Sequence, residues 1–153
     1  DRLLNFDNRI AMIKCLKHVA LSVSNLEKSL AFYRDLLGMK VLMQLDIEDD
    51  RIARVIGVKG AKCKIVHLEA GSGILELFEY SYPKGSNKAR TIHQYDHGLT
   101  HFGFEVDDFP LLVQKLKNKG IEFLGEPVEF RPNVWVTYFY GPDGEVCELR
   151  QQP

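Results

Sequence analysis

The sequence predicts an α+β protein made of two copies of one module, and two observations support this class. The run His-Val-Ala-Leu-Ser-Val-Ser that begins at His18 returns 83 residues later as His-Phe-Gly-Phe-Glu-Val-Asp from His101, with polar and apolar positions in the same order. In each half, a helical pattern and several short strand patterns follow this run. A strand and a helix followed by a small antiparallel sheet is an α+β arrangement.

The repeated runs are predicted to be the first strand of each module. In both runs, residues at odd distance from the histidine are apolar, and those at even distance are small or polar. Successive side chains of a strand point to opposite faces of a sheet. We therefore expect each histidine to face away from the apolar side of its sheet.

A helix is expected after each of these strands. In the first module Ser24 and Glu27 fit a capping box, and an apolar stripe at helical spacing runs on to Gly38. In the second module Asp107 or Asp108 is the predicted cap. The second apolar stripe consists of Leu111, Leu112, Val113 and Leu116.

Short strands fill the rest of each half and define the predicted boundaries. They are expected at 41–46, 52–58, 63–69 and 74–80, and then at 122–124, 128–130, 134–140 and 145–150. The segment between the halves is rich in Pro, Gly and polar residues, as linkers are. The predicted organisation is an N-terminal extension at 1–13, a first module at 14–82, a linker at 83–98 and a second module at 99–153.

Composition excludes several classes of partner. The formal net charge is −1, so no overall field attracts nucleic acid or an anionic membrane. No apolar run has the roughly 20 residues that a membrane helix needs. The three cysteines are odd in number and far apart, which predicts reduced thiols in a cytoplasmic protein.

Four polar side chains on predicted strands form a candidate metal site. Glu76 and Glu148 each lie between two apolar residues in the last strand of a module, so they share the polar face with His18 and His101. A carboxylate in the middle of a strand is unfavourable without a partner. Two imidazoles and two carboxylates suit a divalent Zn, Ni, Co, Mn or Fe ion.

Several motifs resemble the vicinal oxygen chelate superfamily over about residues 14–150. They are His18-Val19-Ala20-Leu21-Ser22-Val23, Leu26-Glu27-Lys28-Ser29-Leu30-Ala31-Phe32-Tyr33, Ile74-Leu75-Glu76-Leu77-Phe78, Gly98-Leu99-Thr100-His101-Phe102 and Gly141-Pro142-Asp143-Gly144-Glu145-Val146-Cys147-Glu148-Leu149. The resemblance implies two βαβββ modules forming a cupped mixed sheet with helices on the convex face. It also implies a homodimer and ligation of one divalent metal by His18, Glu76, His101 and Glu148.

Within that superfamily the His-Glu-His-Glu set resembles bacterial glyoxalase I, which implies an isomerase or epimerase acting on a small molecule. The implied chemistry is abstraction of a proton beside a carbonyl, with metal stabilisation of an enediolate. Glu148 is the expected base and Glu76 its partner. The segment from Tyr95 to His101 resembles the epimerases instead, so a glutathione hemithioacetal and an acyl-CoA both stay open as substrates.

Two alternatives remain from the same resemblance. An Fe(II) extradiol-type dioxygenase needs only two histidines and one carboxylate, which would leave Glu76 as an extra ligand. A bleomycin-resistance-like binding protein would need no such set. His67 and His97 are each expected to be either a group that contacts a metal ligand or, as is more common, a surface histidine. Other candidates are anion-binding arginines at Arg51, Arg54 and Arg131, and pocket walls at Phe130, Trp135, Tyr138 and Tyr140. Glu79 points with Leu77 and is expected to lie outside the site.

Overall fold

The computed structural model describes residues 12–153 of the chain. Most of the predicted N-terminal extension therefore lies outside the described residues. The strands are β1 (His18–Ser22), β2 (Lys40–Ile47), β3 (Lys62–Ala70), β4 (Gly73–Tyr82), β5 (Phe102–Glu105), β6 (Val128–Arg131), β7 (Val134–Tyr140) and β8 (Val146–Gln151). The helices are α1 (Leu26–Leu30), which continues as a π-helix over Ala31–Leu36, α2 (Arg51–Ile56) and α3 (Phe109–Asn118), and a 3-10 turn covers Ala89–Thr91.

The strands form two four-stranded sheets with the same topology. The strand order is β1-β4-β3-β2 in the first sheet and β5-β8-β7-β6 in the second. The first strand of each module runs parallel to the last, and the other neighbours are antiparallel. The predicted α+β class with two βαβββ modules is confirmed, and the strands are divided between two separate sheets. In residues 12–153 none of the helices combines the length and the apolar character needed to cross a membrane.

The helix caps differ from the prediction in the first module only. Asn25, rather than Ser24, caps α1, because its side chain accepts a hydrogen bond from the backbone N–H of Lys28 at 2.9 Å. Ser24 instead donates its backbone N–H and its hydroxyl to the carboxylate of Asp143 in the second module. Asp108 caps α3, as predicted.

Two predicted strands are wrong. Residues 52–58 form helix α2 and the turn after it, because Ile52 packs against the outer part of the first sheet while Gly57 ends the helix at φ +70°. Residues 122–124 contribute only a bridge from Phe123 to Phe139. Both segments are short apolar runs, which periodicity alone assigns poorly.

One hydrophobic core serves both modules. Its buried members include residues of α1 and the π-helix that continues it, of α3, and of the helix-facing sides of both sheets: Leu26, Leu30, Tyr33, Val66, Leu68, Leu75, Leu77, Val113, Leu116, Phe139, Cys147 and Leu149. Residues of the two sheets thus meet the same helices. Since neighbouring side chains in a strand alternate between faces, the opposite face of each sheet turns away from this shared core.

A buried hydrogen bond ties the modules together. The hydroxyl of Tyr33, from the first module, donates to Glu145 of the second at 2.6 Å, and Glu145 also accepts the backbone N–H of Asp143. Burial raises the pKa of the Tyr33 phenol well above its ordinary value, so the phenol remains a donor.

We expect Tyr33→Phe to lower the free energy of unfolding by about 1–3 kcal/mol, because the buried carboxylate of Glu145 loses a partner while the ring still packs. Urea denaturation measures this change. Tyr95→Phe is the matched control, since Tyr95 is exposed and should give wild-type stability. Equal stability of both variants would contradict the role assigned to the buried bond.

Candidate metal centre

The first sheet brings His18 and Glu76 together and adds a second imidazole. His18 Nε2 lies 3.5 Å from Glu76 Oε2, and His67 Nε2 lies 3.0 Å from Glu76 Oε1. His67 is directly opposite Glu76 in the β3–β4 pair, whereas Ala20 is opposite Glu76 on the β1 side. Because Ala20 is small, the imidazole of His18 can lean along the strand toward the carboxylate.

The second sheet repeats the histidine–glutamate pair. His101 Nε2 lies 3.2 Å from Glu148 Oε2, and Gly103 is opposite Glu148 in the β5–β8 pair. A Cβ placed on Gly103 would lie 3.4 Å from the Cβ of Glu148, so this position has little space for a side chain. In both modules a small residue two positions after the histidine makes room for the glutamate.

Gln94 sets the orientation of the His101 ring. Its amide nitrogen donates to the carbonyl of Thr100 at 3.1 Å, which turns its amide oxygen toward His101 Nδ1 at 2.9 Å. A neutral imidazole with its proton on Nδ1 presents the Nε2 lone pair to the carboxylate of Glu148. In this tautomer two lone pairs would face each other across 3.2 Å, an arrangement that a cation satisfies.

Tyr138 completes the environment of this second pair. Its ring centroid lies 4.9 Å from that of His101, and it is opposite Glu148 in the β7–β8 pair. Burial, and then the negative charge of Glu148, raise the pKa of the Tyr138 phenol above its ordinary value. The predicted pocket-wall position of Tyr138 thus lies beside the candidate base.

The two pairs are not joined within one chain. Each lies on the face of its sheet that turns away from the shared core. Across residues 12–153, no group of three or more His, Cys, Asp or Glu side chains is arranged to hold a metal ion. The cavity at Glu148 is lined by residues of β6, β7 and β8 alone. Each chain therefore offers two separate halves, each with a histidine and a carboxylate of the type that divalent metals bind. The first half also holds the imidazole of His67.

Three other residues considered from the sequence lie away from the two His–Glu pairs. Arg51 pairs with Asp49, and Arg54 with Asp50, on the surface of α2. The carboxylate of Glu79 accepts the backbone N–H of Leu26 at the start of α1, so Glu79 lies outside the site, as expected.

His67 contacts Glu76, which agrees with the first of the two roles considered for it and not with a plain surface histidine, whereas Gln94 is a contact that the sequence did not indicate. His67 lies between the fully buried Val66 and Leu68, and this alternation could have placed it on the face of Glu76. Gln94 belongs to the irregular segment before β5, where no pattern indicates its contact with His101. His97 is exposed, as predicted.

Known proteins share both the sequence pattern and the fold. Residues 16–149 match the model of the Glyoxalase/Bleomycin resistance protein/Dioxygenase superfamily. A crystal structure of a glyoxalase family protein from Bacillus cereus superimposes with a TM-score of 0.83 at 22% identity, covering 94% of this chain and 98% of that one. At 22% identity, the match to this crystal structure shows the fold alone.

Curated relatives include proteins with different activities. The uncharacterized protein YwkD of Bacillus subtilis is 32% identical over 92% of this chain and 99% of its own length. Mitochondrial methylmalonyl-CoA epimerase of Homo sapiens is 30% identical over 89% of this chain and 73% of its length. A lactoylglutathione lyase of Neisseria meningitidis is 30% identical over 90% of both chains. The chain belongs to the glyoxalase/bleomycin resistance protein/dioxygenase superfamily.

Proposed function

We propose that this protein is a metal-dependent lyase or isomerase that removes a proton beside a carbonyl group, with His18, Glu76, His101 and Glu148 as the metal ligands. The observation that carries the proposal is the repeated His–Glu pair, with the imidazole and the partly buried carboxylate held 3.5 and 3.2 Å apart in the two sheets. Equivalent positions in two modules argue against a chance surface pair. Membership of a superfamily that contains lyases and epimerases supports the same reaction class.

The separation of the pairs leads us to propose that a second copy of the chain completes each site. In a twofold dimer the first-sheet pair of one chain would meet the second-sheet pair of its partner, and symmetry would create two equal sites. Exposed apolar side chains lie along the strands of both sheets, among them Leu42, Leu45, Val128 and Phe130. Such surface is common where proteins associate.

In the proposed reaction Glu148 accepts the proton and Glu76 acts as its partner carboxylate. Both glutamate side chains are only 14% exposed, so water has little access to their carboxylates. A divalent cation held by the four ligands would stabilise the negative charge that develops on the carbonyl oxygen. His101 contacts the carboxylate of Glu148, and Tyr138 lies opposite it, in the wall of the cavity where a substrate can enter.

The substrate is proposed to be a small carbonyl compound such as a thioester or a hemithioacetal. The test is to measure metal content and then follow exchange of the α-proton with deuterated water, using acyl-CoA and glutathione hemithioacetal panels. We expect about one divalent ion per chain and exchange with one panel. Protein that holds no metal after equilibration, or that exchanges no proton in either panel, would refute the proposal.

The contact between His67 and Glu76 gives a prediction about metal affinity. We expect His67→Ala to weaken metal binding by about 10- to 100-fold, the usual cost of losing a group that orients a ligand. Competition with a chelating dye measures the affinity without any substrate. His97→Ala is the control, because His97 is exposed. Unchanged affinity in His67→Ala would show that His67 is only a neighbour of Glu76.

We also propose a reducing compartment, the cytoplasm, for this protein. Its three cysteines are unpaired, with Cys63 and Cys147 buried and Cys15 exposed. Burial raises the pKa of the Cys147 thiol far above its ordinary value, so this thiol is unreactive.

A further inference from the structure

The face of the second sheet carries a cavity of about 400 Å³ that the proposed proton transfer does not fully explain. Glu148 lies in its wall together with two arginines, Arg131 and Arg150. We propose that this cavity binds an anionic group of the substrate, a carboxylate or a phosphate, and that Arg131 and Arg150 are the residues that select it. This inference rests on the proposed function and names the substrate class for that same site.

A β-bulge aims one of these arginines into the cavity. In the β6–β7 pair, Glu129 is opposite Trp135 and Arg131 is opposite Val134, so Phe130 has no partner. In a regular strand, the consecutive residues Phe130 and Arg131 would point to opposite faces. Because of the bulge, both line the same cavity. Bulges are frequent next to active sites, where they redirect a side chain.

The turn that follows holds the bulged strand in place. Pro132 and Asn133 connect Arg131 to β7, and Asn133 has φ +63°, a left-handed conformation that Asn tolerates better than most residues. The backbone N–H of Asn133 donates to the side chain of Glu129 at 2.9 Å. The position of Arg131 is therefore fixed by local structure on both sides.

Arg150 reaches the cavity from the neighbouring strand. It lies two residues after Glu148 on β8, so its side chain is on the same face, and it is opposite Val136 in β7. In residues 12–153, neither Arg131 nor Arg150 forms an ion pair with a carboxylate, whereas Arg34, Arg51 and Arg54 each pair with a neighbouring aspartate. Both cavity arginines are thus available to a ligand.

The charges and size of the cavity define the ligand. Two guanidinium groups against the one carboxylate of Glu148 leave a net positive charge, and guanidinium forks bind carboxylate or phosphate with two parallel hydrogen bonds. The remaining walls are apolar or aromatic, from Phe130, Tyr138 and two valines. In the single chain the cavity has a volume of about 400 Å³, near the lower end for small-molecule sites, which suits a compact acidic group of a larger substrate.

The test measures anion binding without metal, so it does not depend on catalysis. Metal-free full-length protein is titrated calorimetrically with malonate, inorganic phosphate and the neutral malonamide. We expect one of the two anions to bind and malonamide not to bind, and the tighter anion identifies the group. Arg131→Gln and Arg150→Gln should each weaken that binding by about 10- to 100-fold, as expected for a charged hydrogen bond. Arg150→Lys should recover part of the loss.

Arg54→Gln is the matched control, because Arg54 is exposed and paired with Asp50 away from this cavity. It should bind the anion as wild type does. In metal-loaded protein, Arg150→Gln should raise KM for an acidic substrate more than it lowers kcat. Absence of anion binding, or equal binding by the two cavity variants and wild type, would overturn the inference. Failure of metal binding or proton exchange alone would refute the proposed reaction and leave this result standing.

Discussion

Glu148→Gln is expected to slow exchange of the substrate α-proton by about 10²- to 10⁴-fold, the range that general base catalysis contributes. Glutamine keeps the shape of the side chain and its place between the buried Cys147 and Leu149, but its amide accepts no proton at neutral pH. Nuclear magnetic resonance in deuterated water measures the exchange rate directly. Because Glu148 is also a proposed metal ligand, the rate is measured at saturating metal, where the loss should appear in kcat.

The control for this experiment is Glu126→Gln. Glu126 is exposed in the segment before β6, so the same chemical change there should leave exchange at the wild-type rate. Wild-type exchange by Glu148→Gln would contradict its role as the base. Tight ligand binding that survives this substitution, in the absence of any exchange by wild type, would indicate a binding protein instead.

The second large effect is expected from the histidines. His18→Ala and His101→Ala should each lower metal affinity by more than about 100-fold, beyond the effect of losing a group that only orients a ligand. Each variant removes one of the proposed metal ligands. Because every site is proposed to use both halves, the two losses should be similar although the residues lie on different sheets. Elemental analysis after dialysis measures the retained metal.

His93→Ala is the matched control, since His93 is exposed and pairs with Asp96 in the segment between β4 and β5. It should retain metal at the wild-type level. Full retention in either His18→Ala or His101→Ala would remove that histidine from the ligand set. Loss in only one of them would indicate that the metal is held by a single half of the proposed site.

Much of the fold was predictable because the pattern is strong and appears twice. The alternation around His18 and His101 places each histidine on the polar face, and the structure puts both beside the predicted glutamates. The repeat also predicts the order of elements in the second module. Period-two alternation is local information, so it identifies faces without reference to the rest of the chain.

The wrong predictions concern segments whose structure depends on tertiary contacts. Ser24 has the right spacing for a helix cap, but its backbone N–H and hydroxyl donate hydrogen bonds to Asp143 of the other module. Asn25 caps the helix instead. Ile52 belongs to a helix because it packs on the outer part of the first sheet. Neither partner can be identified from the local sequence.

The two His–Glu pairs could be predicted from the sequence, but their separation on two sheets could not. The four ligand candidates follow from alternation and resemblance, whereas the division of the two pairs depends on how both sheets pack against the shared helices. The bulge at Phe130 could not be predicted from the sequence either, because it depends on the register between β6 and β7. Arg150 lies two residues after Glu148, so alternation alone places both on one face of β8. Only the structure brings Arg150 and Arg131 to the wall of the same cavity.

The most direct test mixes two inactive variants of the chain. One carries His18→Ala and Glu76→Gln, and the other carries His101→Ala and Glu148→Gln, so neither can build a complete site with copies of itself. If each site takes its halves from two chains, unfolding and refolding the equal mixture should restore metal binding to about one quarter of the wild-type level, because half of the dimers are mixed and each has one intact site. Recovery indistinguishable from zero, with mixed dimers shown to form, would contradict a site shared between two copies.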